Sequence, residues 1–403
     1  PTDSTTATTA TATTNGRAWS NIHASRSSLR TSNPIRLIVD QLNPSQANKD
    51  KALIPLSIGD PTVFGNLETD DHVNRAVISA IQSHKFNGYA HACGYAEARV
   101  VIAQKYAEKF ADAPDSNHFT PDDVILASGC SGAIQMCIDA LANEGDNILI
   151  PTPGFSLYKT LCDHKGIECH FYPLIAERNW EVDLSAMREL INDRTRAILI
   201  NNPSNPCGSV YSKQHILDIL KLAQEYCLPI IADEIYADMT FERNAFVPMY
   251  TCTDQVPILT VGGIAKQYLV PGWRVGWIVV HDPQGYLGEV RQGLARLATL
   301  ILGPNTLVQG ALPTILKDTP QSFYDDLNGK LKENADYTYE RISKIKGLRV
   351  IRPGGAMYCM VGIDVDRFGA DITDDVSFSR ILLQEESVFV LPGQCFRMPN
   401  FFR

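Results

Sequence analysis

Apolar residues along this chain cluster in short, nearly unbroken runs, and between Val124 and Val280 those runs alternate with helical stretches. A strand exposed on one face alternates apolar and polar residues, whereas a strand buried on both faces is apolar throughout. Strands are therefore expected at residues 124–127, 147–150, 197–200, 228–232 and 257–261, with a helix opened by Ser128, Gly129, Cys130, Ser131 and Gly132 and running to Leu141. The alternation predicts a doubly wound α/β domain with a mainly parallel sheet. Beyond Pro304 the rhythm changes. Helices are expected over residues 321–345 and 375–386, and strands at 348–352, 357–363 and 388–391, which together make a smaller α+β domain. We assign residues 34–60 and 317–403 to that domain, 61–316 to the large one and 17–33 to an N-terminal arm. Residues 1–16, beginning PTDSTTATTATATT, lack bulky apolar side chains and are expected to be a disordered tail. There is no internal repeat.

Composition narrows the function classes. The 403 residues carry 45 acidic and 36 basic side chains, a net charge of -9, with no dense basic run, so a nucleic-acid partner is not expected. No apolar run reaches the roughly 18 residues of a membrane span. Ten cysteines lie scattered without paired CxxC spacing, which fits free thiols in a reducing compartment and no zinc site. The cytoplasm is the expected location, with the mitochondrion left open because Arg17, Arg26 and Arg30 follow the tail.

The densest chemistry lies in GGIAKQYLVPGWRVGW, where Lys266 follows a strand-like run and Arg274 follows a Pro-Gly turn. A lysine flanked by apolar residues is poorly hydrated, so part of it becomes the neutral amine that condenses with a carbonyl. Arg274 offers a planar donor fork suited to phosphate. Asp233 ends the run at 228–232, where α/β folds bind ligands and where a buried carboxylate calls for a cationic partner; capping of a following helix is the plainer alternative. Tyr236 lies within reach of the same ligand or is an ordinary core tyrosine. NNPSNPCG follows the run at 197–200 as a rigid turn at a strand's carboxyl end. The Ser128–Gly132 turn leaves backbone donors free for an anion.

The order of these segments, together with LSIGDPTVFGN, PGFSLYKTL and ILGPNTLVQGAL, resembles the fold-type-I pyridoxal phosphate-dependent aminotransferases, over nearly the whole chain from about Trp19. The resemblance implies that Lys266 carries the cofactor, that Asp233 pairs with its ring nitrogen, and that Asn205 and Tyr236 hold its phenolic oxygen. It further implies that Arg274, Ser131 and the Cys130 amide hold its phosphate. Phe155 would stack on the ring, or sit in the core. The family works as homodimers, in which Tyr89 would reach the neighbouring subunit's phosphate site. Gly59 would line the substrate pocket, and Arg403 would clamp the substrate's α-carboxylate unless it is a surface arginine near the chain end. Two departures stand out. Gly263 and Ala265 occupy positions where other members keep phosphate-binding serines, and the chain ends at Arg403 where the family continues, so a further C-terminal segment is expected.

The resemblance implies a ping-pong exchange of an amino group between an amino acid and a 2-oxo acid. Aspartate-specific members bind the distal carboxylate through an arginine of the neighbouring subunit, in a segment where this chain has uncharged Ile301, Leu302 and Gly303, so L-tyrosine and other aromatic amino acids are the expected donors. Arg291 and Arg296 lie near enough in sequence to restore a dicarboxylate site. The alternatives are a carbon-sulfur lyase or cyclopropane-forming synthase on the same scaffold, and a pyridoxal-binding regulator, for which no helix-turn-helix is visible.

Overall fold

The computed structural model describes residues 21–39, 42, 44–110, 119–242 and 246–403; the expected tail and residues 17–20 of the arm lie outside them. The first strand, β1 (Ile54–Pro55), belongs to the segment that precedes the large sheet. The sheet itself comprises β2 (Val124–Ser128), β3 (Asn147–Thr152), β4 (Glu168–Ile175), β5 (Glu181–Val182), β6 (Thr195–Asn201), β7 (Ile230–Asp233), β8 (Ile258–Gly263) and β9 (Val275–His281). Its order is β2-β9-β8-β7-β6-β3-β4-β5. The five neighbours β8, β7, β6, β3 and β4 run parallel, while β9 is antiparallel to both β8 and β2, and β5 to β4. The α/β fold expected from the patterning is the one observed.

Why these runs are apolar throughout follows from which way each residue points. Ile198, Ile200, Ile230, Ala232 and Ile258 enter one hydrophobic core, and their chain neighbours Ala197, Leu199, Ile231 and Leu259 enter another on the opposite face. The period-two alternation of a strand thus feeds two layers and leaves few positions for a polar side chain, of which Thr260 inside β8 is one. At the carboxyl ends polarity returns. There Asn201 and Asp233 are register partners on adjacent parallel strands, which sets the polar edge where ligands of such sheets lie. β9 returns antiparallel, pairing Val275 with Ser128, so that Arg274 just before it comes to the same edge.

The remaining strands are β10 (Leu348–Val350), β11 (Val361–Ile363), β12 (Val388–Phe389) and β13 (Phe401–Phe402). β10, β11 and β13 form an antiparallel sheet, and β12 pairs in parallel with β1, which ties the early segment to the C-terminal one. Helices Gln321–Ile342 and Asp375–Glu386 accompany them. The strand expected over residues 357–363 begins only at Val361. The residues before it turn toward the large sheet, where Gly354 and Gly355 donate to the Gly208 carbonyl. Asp375, fully buried, accepts from the amides of Gln394 and Asn400 and so fixes the loop that leads to Arg403.

Candidate active site

A cavity of about 960 Å³ opens at the carboxyl edge of the large sheet. Lys266, Asp233, Tyr236, Asn205, Phe155, Cys130, Ser131, Arg274, Gly59 and Arg403 all line it. Tyr89 does not: its side chain is 91% exposed, outside this chain's own cavity. Lys266 leaves the end of β8 and donates from Nζ to the Gly59 carbonyl at 2.6 Å. It is half-buried, so the poorly hydrated amine expected from its apolar flanks is instead reached from the cavity.

Asp233 is 3% exposed and accepts three hydrogen bonds, from Tyr158 Oη at 2.6 Å, from the Ile235 amide at 3.3 Å and from Cys130 Sγ at 3.5 Å. Burial pushes its carboxyl above the usual range, and those donors with Lys266 offset this in part. Burial and the Asp233 carboxylate hold the Cys130 thiol far up, so it stays a donor. All three hydrogen-bond donors are neutral, and among the described residues Asp233 has no ion-pair partner at hydrogen-bond range. A buried carboxylate of this kind is built for a cationic group.

Opposite, Arg274 adopts a left-handed φ of 54° after the Pro271–Trp273 turn, which swings its guanidinium back across β2. Nη2 donates to Ser131 Oγ at 2.8 Å and lies 3.4 Å from the Ser128 carbonyl. The Gly129–Leu141 helix starts here with no side-chain cap, which leaves its first amides for a ligand. Arg274, Ser131 and these amides together present donors that could hold a dianion. Gly129 (φ +70°) is needed because an added Cβ would meet Arg274 Nη2 at 2.6 Å. Gly263 has a physical reason as well: a Cβ there would lie 2.8 Å from the Val275 carbonyl, so β9 leaves no room for a serine.

At the other end of the cavity Arg403 donates to Asn205 Oδ1 at 2.8 Å and to the Ser57 carbonyl at 3.0 Å. Its guanidinium lies over the Tyr358 ring at 4.3 Å and the Phe396 ring at 5.0 Å. Tyr236 Oη is 2.8 Å from Tyr358 Oη, and burial, then this neighbour, pushes its phenol up. Phe155 meets Tyr158 edge to face at 5.7 Å. Sequence reasoning missed Tyr158, Tyr358, Ser57 and Phe396. Tyr158 lies in the first turn of the Leu157–Lys165 helix, inside the PGFSLYKTL segment, whose resemblance did not single it out.

Residues 51–403 match the family of class I and II aminotransferases. The chain belongs to that family. Tyrosine aminotransferase of Mus musculus is 51% identical over 384 residues, covering 95% of this chain and 83% of its own length. Tyrosine aminotransferase of Dictyostelium discoideum is 48% identical, covering 96% and 92%. The crystal structure of tyrosine aminotransferase from Leishmania infantum superposes with a TM-score of 0.91 at 36% identity, covering 96% of this chain and 93% of that one. Aminotransferases of this family are enzymes, which sets aside the regulator alternative. Among the described residues, no helix is long and apolar enough to cross a membrane and no group of three His, Cys, Asp or Glu side chains could hold a metal ion.

In this aminotransferase a second acid adjoins the first. Glu234 is buried on the far side of Asp233, in a small void of about 30 Å³ with Tyr106 and Trp277, and accepts from the Met249 amide at 3.0 Å. Burial, with the Asp233 charge adding to it, pushes its carboxyl up to about 8. The folded state therefore binds this proton more tightly than the unfolded chain, so stability falls as pH rises from about 4.5 through 8. Glu234→Gln mimics the protonated acid and keeps the acceptor. Its melting temperature should match the parent's near pH 4.5 and exceed it by several degrees near pH 9; equal temperatures at both pH values would refute this.

Proposed function

We propose that the protein moves the amino group of L-tyrosine and other aromatic amino acids to a 2-oxo acid, with pyridoxal 5'-phosphate as cofactor. The observation that carries this reading is Asp233, a buried carboxylate with only neutral donors, sharing one cavity with Lys266 and the Arg274–Ser131 cup. The cofactor fits these groups one by one. Arg274, Ser131 and the Cys130 amide would hold its phosphate, Asp233 its ring nitrogen, Asn205 and Tyr236 its phenolic oxygen, Phe155 its face, and Lys266 its carbonyl carbon. When bound, pyridoxal 5'-phosphate supplies an electrophilic carbonyl and a ring that takes up a carbanion's electrons.

The chain's own groups do the rest. Lys266 Nζ, as a neutral amine, would take the proton from the substrate's α-carbon, hold it as the ammonium and give it up to the cofactor's carbonyl carbon, acting first as anchor and then as general acid/base. Arg403 keeps donors beyond those given to Asn205 and Ser57, and with them orients the α-carboxylate. Asp233 keeps a positive charge at the buried edge. Tyr89, exposed in one chain, would complete the phosphate cup of a second copy in a homodimer; exposed Leu53, Leu56, Ile58 and Phe64 support such a contact. Ten free cysteines support a reducing compartment, which we take to be the cytoplasm.

Donor preference rests on where the arginines point. Arg291 pairs with Asp123 and lies 3.4 Å from the Val280 carbonyl, and Arg296 Nη2 donates to Gln292, so among the described residues both are engaged within their own chain, which supports leaving a distal carboxylate without a partner. Arg36 is an exposed cation at the rim. Ile35, Val39, Leu53, Ile58 and Leu391 give the wall an apolar surface suited to an aromatic ring. We expect kcat/KM for L-tyrosine to exceed that for L-aspartate by at least about tenfold, roughly 1.4 kcal/mol of transition-state discrimination. The pair of constants with one shared acceptor decides it, and parity would overturn the aromatic preference. Loss of the cofactor band on adding L-tyrosine alone tests the transfer itself. Ammonia released without any acceptor would instead favour the lyase alternative.

A further inference from the structure

Tyr358 touches both Tyr236 and Arg403. Its hydroxyl is 2.8 Å from the hydroxyl of Tyr236, and the Arg403 guanidinium lies 4.3 Å over its ring. Its own place is cut by Gly59: a Cβ at that position would sit 2.5 Å from Tyr358 Oη but 3.4 Å from the ring carbons Cε1 and Cζ. The missing side chain of Gly59 thus makes room for the Tyr358 hydroxyl. The Gly59 carbonyl meanwhile receives Lys266, so the same residue that accommodates Tyr358 also seats the lysine.

We infer that Tyr358 is a positioning residue that sets the Tyr236 hydroxyl through its own hydroxyl and the Arg403 fork through its ring. The two roles are chemically separable. A hydroxyl that donates to Tyr236 Oη makes the Tyr236 proton a stronger donor, because hydrogen bonds in a chain polarise one another. A ring face under a guanidinium fixes the plane of its fork without using any N–H, which leaves the donors for a carboxylate. The inference rests on the proposed aminotransferase function.

Tyr358→Phe removes the hydroxyl and keeps the ring; Tyr358→Leu removes both. The probe for the clamp is 3-phenylpropionate, a carboxylate with an aromatic ring and no amino group, titrated into the holoenzyme. The probe for Tyr236 is the pH midpoint of the bound cofactor's absorbance. For Tyr358→Phe we expect that midpoint to rise by at least about 0.5 pH unit, since an oxyanion with a weakened donor holds a neighbouring proton more tightly. Its Kd for 3-phenylpropionate should stay within about twofold, and for L-tyrosine kcat should change more than KM. Tyr358→Leu should also weaken 3-phenylpropionate by at least about tenfold. Gly59→Ala should reproduce the midpoint shift by pushing the hydroxyl aside, and add nothing to it in the Tyr358→Phe background. An unmoved midpoint in Tyr358→Phe, an unweakened Kd in Tyr358→Leu, or additive shifts in the double variant would overturn the inference. A parent that converts no amino acid overturns the proposed function instead; a parent that transaminates while these variants behave like it overturns only the role of Tyr358.

Discussion

Lys266→Ala is expected to lower amino transfer from L-tyrosine by a factor of at least about 10⁴, the upper range of what a positioned general base contributes. In the proposed function two tasks would fall on one amine: it would meet the cofactor's carbonyl carbon, and it would then carry the proton of the α-carbon. Binding of pyridoxal phosphate should survive, because Arg274, Ser131 and Asp233 are untouched and would together supply the polar and charged contacts. A purely structural reading is available, since Lys266 Nζ tethers the Gly59 carbonyl at 2.6 Å and loss of the tether could open the cavity. Lys266→Arg separates the readings. An arginine keeps length, charge and a donor for Gly59, but its guanidinium cannot lose a proton near neutral pH. It should be as inactive as the alanine variant. Turnover of either protein within about a hundredfold of the parent, with no amine added, would refute the role of Lys266.

Much of the large sheet was legible because its central strands are buried on both faces and therefore almost wholly apolar. Where a run stopped, the polar residue that ended it was also the residue at the ligand edge, and Asp233 at the end of β7 and Asn201 at the end of β6 follow that rule. Lys266 and Arg274 were readable from the turn between them. What stayed hidden depends on contacts between elements distant in the chain. Tyr158 is on a helix, with a ring buried like any core aromatic, and only the fold reveals that its hydroxyl meets Asp233. Tyr358 sits in a stretch that reads as strand by its apolar content. It lies instead in an irregular segment, held by Gly208, whose φ of +69° and close approach to the Tyr358 carbonyl no side chain could tolerate.

Those hidden contacts matter most at Asp233. Its carboxylate is held by Tyr158, Cys130 and the Ile235 amide, and burial raises its affinity for a proton. Without a cation nearby, ionisation of this group works against the fold; with a protonated ring nitrogen beside it, the same burial strengthens the pair. Removing one partner of a buried pair costs about 3–5 kcal/mol, which corresponds to roughly 10² to 10⁴ in rate when the pair is needed in the transition state. Asp233→Ala is therefore expected to retain pyridoxal phosphate, through Arg274, Ser131 and Lys266, while lowering kcat for L-tyrosine by about 10³. Tyr158 and Cys130 lose their acceptor in the variant, so some loss of stability should accompany the change. Dividing the rate by the cofactor actually bound, and comparing it with Tyr158→Phe, isolates the electronic part. Tyr158→Phe leaves the carboxylate in place with one donor fewer, and should cost far less than Asp233→Ala. If the alanine variant stays within about tenfold of the parent per bound cofactor, another acid holds the charge and the assignment of Asp233 falls.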